Sequence, residues 1–149
     1  MGKRVDQASP EPELELRRAR PDEAPAVLAL WRNAELFPSS TDDVDSVRRL
    51  IEHDAAALLV ADLGGEVVGS VCATWDGWRG NLYRLAVHPD HRRRGIALKL
   101  VARAEGWIAD QGGRRISSIV VDEDEPAVEF WRAAGYERDD RVSRFVKGH

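Results

Sequence analysis

The hydrophobic period of this chain changes twice, and the order of those changes limits its folds more than any other feature. Over residues 21–54 the apolar residues recur at helical spacing. PDEAPAVLALWRNAEL repeats Val27, Leu30, Trp31 and Ala34, with proline and acids in its first turn. TDDVDSVRRLIEHD follows, with Thr41 placed as an N-cap, acids at the start and arginines later. From residue 57 the pattern becomes that of strands: ALLVAD, a turn at Gly64–Gly65, EVVGSVCATW, a second turn at DGWRG, and NLYRLAVHP. Helical spacing returns at Gly95, where Ala97, Leu100, Val101, Ala104 and Ile108 form one stripe that ends at Gly112–Gly113.

ELELRR before these elements alternates as a half-buried strand does. After them, RISSIVV is a β-branched strand, EPAVEFWRAAG a short helix closed by Gly135, and YERDDRVSRFVK supplies one or two final strands. The predicted order is β-α-α-β-β-β-α-β-α-β, with one further strand optional. That is a mixed α/β (α+β) single domain with a mostly antiparallel sheet, because a doubly wound fold alternates β and α from its start. Residues 1–12, polar and ending in two prolines, read as a mobile tail, and residues 13–149 as one domain.

Hydrophobic residues make up 43% and charged residues 32%, which fits a globular chain rather than a disordered one. The formal net charge of −4 argues against bulk attraction to nucleic acid or an anionic membrane surface. A single cysteine, Cys72, excludes an intrachain disulfide and a cysteine-based zinc site, and its apolar setting reads as a buried thiol. No metal is expected. Neither a membrane-length apolar run nor a signal-peptide core is present, so a cytoplasmic protein is expected.

Against that acidic background stands HRRRGIA, residues 91–97, the densest cationic cluster in the chain. It lies where a helix begins, and the first N–H groups of a helix lack intrahelical partners. Together with the helix dipole they form an anion site. Gly95 lets the backbone approach a phosphate closely, Ala97 keeps the next position small, and arginine forks add bidentate contacts. Alone, the same string also describes a solvated basic turn.

The flanks decide between these readings. Arg92, Gly95 and Ala97 form R-x-x-G-x-A, preceded by LAVHPDHR and followed by an amphipathic helix and then by FWRAAGY. In that order the pattern resembles the acyl-CoA-binding motif of the GNAT superfamily of N-acyltransferases, and the likeness runs from about Leu14 to Val146. WDGWRGNLY is similar to small bacterial stand-alone members.

The resemblance implies acetyl-CoA as co-substrate and an acceptor amine, in a small molecule or a protein, that attacks the thioester directly in a ternary complex. It implies that backbone amides from Arg93 to Ala97, with Arg92, Arg94 and Ile96 around them, hold the pyrophosphate. The pantetheine arm would run along Leu85, Ala86 and Val87, where a β-bulge would splay the strand from RISSIVV. The Val87 amide would donate to the oxyanion. Asp124 stands where the family often has asparagine. Trp131 replaces the tyrosine that many members use as the acid for the leaving thiol, and Ala127 lies on the same helix.

Tyr83 alternates with Leu85 and Val87, which makes it a candidate for the missing proton transfer; core packing is the alternative. Trp31, Glu35, Phe37, Asp76 and Trp78 are candidates for the acceptor side, since aromatics and carboxylates suit a cationic amine. For Trp31 the alternative is again core packing. Dimers are frequent in the superfamily, which makes the final strands a candidate homodimer interface. The rival function is an acyl-CoA-binding sensor without turnover, which Trp131 favours; nucleic-acid binding through the arginines ranks behind both.

Overall fold

The computed structural model describes residues 12–148; the tail expected over residues 1–12 lies, apart from Pro12, outside them. Strand β1 (Leu14–Arg18) leads through a 3-10 turn at Pro21–Glu23 into α1 (Ala24–Asn33) and α2 (Val44–Glu52). Strands β2 (Ala56–Leu63), β3 (Glu66–Trp75) and β4 (Gly80–Val87) follow, then α3 (Ile96–Asp110), β5 (Ile116–Ser118) and α4 (Glu125–Ala133). The sheet order is β1-β2-β3-β4-β5, antiparallel throughout except for the parallel pair β4–β5.

Both faces of the sheet are covered, which explains why β2 is a run of consecutive buried residues rather than an alternating strand. On one face Val27, Leu30 and Trp31 of α1 and Val47 and Ile51 of α2 pack on Leu58, Val60 and Cys72. On the other, Leu100, Val101, Ala104 and Ile108 of α3 meet Leu59, Val71 and Leu82, with Trp131 of α4 at the margin. The α3 contact is close: a Cβ on Gly80 would lie 2.5 Å from the Ile108 side chain. Cys72 is sealed in the first layer, where burial pushes its thiol up to about 12, so it is no nucleophile.

Three sequence expectations are corrected. The N-cap of α2 is Asp43, not Thr41; its carboxylate accepts from the backbone N–H and the hydroxyl of Ser46. RISSIVV pairs only over Ile116–Ser118. No strand follows α4 among the described residues. The alternation in YERDDRVSRFVK meets no partner among the described residues: Val142, Phe145 and Val146 are 67%, 95% and 72% exposed, so no apolar burial offsets the cost of ordering a strand.

The turn between β1 and α1 is fixed by an ion-pair cluster. The Arg17 guanidinium donates to both carboxylate oxygens of Glu23 at 2.8 and 2.7 Å and to Asp62 of β2 at 3.0 Å. These hydrogen bonds from Arg17, aided by the Arg20 backbone N–H, hold the Glu23 carboxyl down from 4.5 to about 2. A carboxyl lowered on folding stabilises the native state above its unfolded pKa, and that contribution fades as pH falls through the folded value. Glu23→Gln is therefore expected to cost on the order of 1–3 kcal/mol at pH 7 by urea denaturation. The gap between variant and wild type should close between about pH 4.5 and 2.

Candidate active site

Strand β4 carries one residue more than β3 opposite it. Cys72 pairs with Tyr83 and Ser70 with Ala86, so Val71 faces both Arg84 and Leu85. Arg84 takes the left-handed conformation at φ +54°. Four contacts hold it there. The buried Ser70 hydroxyl donates to its carbonyl at 2.9 Å and itself accepts the Trp31 indole N–H at 2.9 Å. The Arg84 guanidinium donates to the Phe37 carbonyl at 2.9 Å and to the Asp42 carboxylate at 2.8 Å, and lies 5.0 Å from the Trp31 ring.

The bulge has two consequences. First, β4 and β5 pair only over Gly80–Leu82 and Ile116–Ser118 and then part, which opens a slot beside Leu85–Val87. The His88 N–H donates to Val68 across the ladder at 2.8 Å. Alternation in an antiparallel pair then points the Val87 N–H away from β3, to the side β5 has left. Second, one inserted residue reverses the faces beyond it. Tyr83 packs with the α1–α2 layer, whereas Leu85 and Val87 face α3. The alternation that made Tyr83 a cleft residue is thus broken, and Tyr83 does not line the cleft.

Past β4, Pro89–His91 form a 3-10 turn and Arg93 (φ +66°) and Gly95 (φ +75°) are left-handed. This path delivers the chain to the start of α3 with the amides of Arg93 to Ala97 unpaired among the described residues. The first helical bond is Lys99 N–H to the Gly95 carbonyl. Nothing lies within 4 Å of where a Gly95 Cβ would project. The Arg92 Nε–H donates back to the Val87 carbonyl at 3.2 Å, which ties the cradle to the end of β4.

Slot and cradle share one cleft of about 570 Å³, within the roughly 300–1,000 Å³ of small-molecule sites. Of the residues expected to hold the cofactor, Leu85, Ala86, Val87, Arg92, Arg93, Gly95, Ile96, Ala97, Asp124, Ala127 and Trp131 line it, and Arg94 does not. Asp124 caps α4, accepting from the Ala127 N–H at 3.1 Å. Trp131 is 7% exposed and edge-on to Tyr136. The Tyr136 hydroxyl donates to Glu105 at 2.7 Å, and burial with that carboxylate raises its pKa, so it offers no proton to the slot.

Of the acceptor candidates only Glu35 lines the cleft. Trp31 is 5% exposed, a core residue with its N–H committed to Ser70. Phe37 and Trp78 are exposed and do not line the cleft, Trp78 stacked under Arg79 at 4.0 Å. Asp76 holds its turn by accepting from the N–H groups of Arg79 and Trp78, which lower its carboxyl. Sequence reasoning missed Ala34, Leu36, His91, Leu98, Pro126 and Phe130 in the lining, and the Arg84–Ser70 support. A lone serine inside the apolar run VVGSVCA was the available signal for the latter.

The residues present fit coenzyme A: unpaired amides and arginines for its phosphates, an open face at Gly95 and an extended strand edge for its arm. The His91 Nδ1, a buried side-chain atom with no hydrogen-bond partner among the described residues, lies on a residue of the same lining. Among the described residues no group of acids, histidines and cysteine is arranged to hold a metal ion, and no helix is long and apolar enough to cross a membrane.

The model of the Acetyltransferase (GNAT) family matches residues 24–136. The chain is 35% identical over 130 residues to an acetyltransferase of Pectobacterium atrosepticum, covering 87% of this chain and 92% of that one. It is 36% identical over 129 residues to an acetyltransferase of Sodalis glossinidius, covering 87% and 91%. Among solved structures, PaiA N-acetyltransferase from Thermoplasma acidophilum in complex with coenzyme A superposes with a TM-score of 0.78 at 14% identity, over 86% of this chain and 92% of that one. The aminoglycoside N-acetyltransferase AAC(6')-Iy in complex with CoA gives 0.76 at 20% identity, over 94% and 98%. The chain belongs to the GNAT family of acetyltransferases.

The Trp31–Ser70–Arg84 chain makes a prediction of its own. Ser70→Ala leaves a buried indole N–H without an acceptor and is expected to cost about 1–3 kcal/mol in urea denaturation. Adding Trp31→Phe removes the orphaned donor, so the double variant should cost less than the sum of the single ones.

Proposed function

We propose that this chain transfers an acetyl group from acetyl-CoA to a primary amine, by direct attack within a ternary complex. The observation that carries the reading is the meeting, in one cleft, of a strand edge freed by the Arg84 bulge with the unpaired amides that open α3. Membership of the acetyltransferase family supports the reaction class. The reading also draws on the AAC(6')-Iy complex with the bisubstrate analogue CoA-S-monomethyl-acetylneamine, in which donor and amine acceptor are joined; that structure superposes with a TM-score of 0.72.

Bound acetyl-CoA supplies an activated acyl carbonyl and a thiolate leaving group. The chain's own residues do the rest. The Arg93–Ala97 amides, with the Arg92 and Arg93 side chains, take the phosphates, a charge the −4 net charge of the whole chain would otherwise repel. The edge of Leu85–Val87 orients the arm as an added strand would. The Val87 N–H donates to the carbonyl oxygen and to the charge that grows on it as the amine attacks; one such donor is worth about 10²–10³ in rate. No tyrosine or cysteine lines the cleft among the described residues. With neither residue there to protonate it, the leaving group departs as the thiolate, which a thiol pKa of about 8.5 permits, and the proton shed by the attacking amine passes to solvent.

That absence also favours a second reading, an acyl-CoA-binding sensor without turnover. Calorimetry with acetyl-CoA, alongside thiol release with pooled primary amines, separates the two. Micromolar binding is expected, weakened about tenfold or more in Arg92→Ala/Arg93→Ala through lost charge-assisted hydrogen bonds. Binding with thiol release supports the transferase, binding without release supports the sensor, and absence of binding contradicts both.

A further inference from the structure

Three helices of this chain end in the same way. The residue after the C-cap is left-handed, and its N–H and the next one reach back to the last turn. At α3, Gly112 and Gly113 donate to Ala109 and Ile108 at 2.9 and 3.0 Å. At α4, Gly135 and Tyr136 donate to Arg132 and Trp131 at 3.0 and 2.9 Å. At α1, Glu35 and Leu36 donate to Arg32 and Trp31 at 3.0 and 3.1 Å. The left-handed residue is Gly112 (φ +98°) in the first and Gly135 (φ +96°) in the second, but Glu35 (φ +59°) in the third.

A side chain at that position is disfavoured, and glycine is the residue the motif prefers. Glu35 is also the one residue of the three motifs that combines this conformation with a place in the cleft. Its carboxylate has no hydrogen-bond or ion-pair partner among the described residues, so it does not stabilise the fold that strains it. The other carboxylate of the cleft, Asp124, is committed to the cap of α4.

The loop that carries Glu35 is anchored from β4. The Arg84 guanidinium binds the Phe37 carbonyl and the Asp42 carboxylate, and the Leu36 side chain packs into the α1–α2 layer. The cleft is consequently polarised. Arg92 and Arg93 stand at the α3 end, Glu35 stands at the α1 end, and the Leu85–Val87 edge runs between them.

From this geometry we infer that Glu35 is the acceptor-recognition residue: its carboxylate receives the ammonium of a cationic primary amine and brings it to the mouth of the slot beside Leu85–Val87. The inference rests on the cofactor reading proposed above and narrows the acceptor class to amines that arrive positively charged. An ammonium entering the cleft is repelled by the arginines and finds one uncommitted carboxylate. Left-handed strain retained at a cleft residue is the arrangement expected where function, rather than stability, fixes the side chain.

The strain makes the test unusually clean, because glycine suits the backbone here and removes the carboxylate. The probes are paired S-alkyl thioethers of coenzyme A, two to five carbons long, one member ending in a primary ammonium and the other in a methyl group. They are titrated calorimetrically into the wild type, Glu35→Gly and Glu35→Gln. The wild type is expected to bind the ammonium-ended member about two- to fivefold more tightly at one or more lengths, the worth of a partly exposed ion pair. Both variants should lose that preference while keeping wild-type affinity for the methyl-ended member. Glu35→Gly should melt at or above the wild-type temperature. A wild type without preference at every length overturns the inference, as does a preference that survives in Glu35→Gly. If neither member binds the wild type, the cofactor reading itself fails and takes this inference with it.

Discussion

Between Tyr83 and Ala86 the sheet accommodates one residue too many, and the cleft depends on how that residue is held. A left-handed, non-glycine bulge is costly in isolation. Here the Ser70 hydroxyl binds its carbonyl, while its guanidinium spans the Phe37 carbonyl, the Asp42 carboxylate and the face of Trp31. Remove the bulge and β4 would keep its register with β3, leaving no reason for its edge to part from β5. The Val87 N–H would then have no slot to face.

The same residue links the two halves of the site. Its backbone shapes the edge on which an acyl-CoA arm would lie, and its side chain anchors the loop that carries Glu35. Trp31 joins them from below through Ser70. A polar network buried in the core is stabilising only when each member is satisfied. This one is: the indole donates, the hydroxyl both accepts and donates, and the carbonyl accepts. The cradle at α3 is independent of the network, built locally from left-handed Arg93 and Gly95 and tied to β4 by Arg92.

What could be read from the sequence was local. Helix α3, its glycine start and the arginines before it are encoded within one contiguous stretch, so the phosphate end of the site was legible in HRRRGIA and its flanks. The element order followed from periodicity for the same reason. Register is different, since nothing in NLYRLAV announces that Arg84 is surplus; the insertion shows only against β3. That is why simple alternation groups Tyr83 with Leu85 and Val87, whereas the structure packs it in the α1–α2 layer. Trp31 and Ser70 lie 39 residues apart, and their pairing could not be seen from either one. Asp43 took the cap expected of Thr41 because Ser46 offered it both an N–H and a hydroxyl. The final strands failed for want of a partner, because alternation in a sequence specifies a face but cannot supply an edge.

If the bulge frees the Val87 N–H to meet an acyl-CoA thioester while the Arg93–Ala97 amides hold its phosphates, both regions respond to the same ligand. Amide-resolved NMR of the labelled protein, titrated with acetyl-CoA, tests it most directly. The Val87 resonance and those of residues 93–97 are expected to move together and exchange more slowly with solvent once the ligand is bound, whereas amides within the β2–β3 ladder stay unchanged. Binding that leaves Val87 and the 93–97 amides unperturbed, or that shifts a different surface, would contradict it.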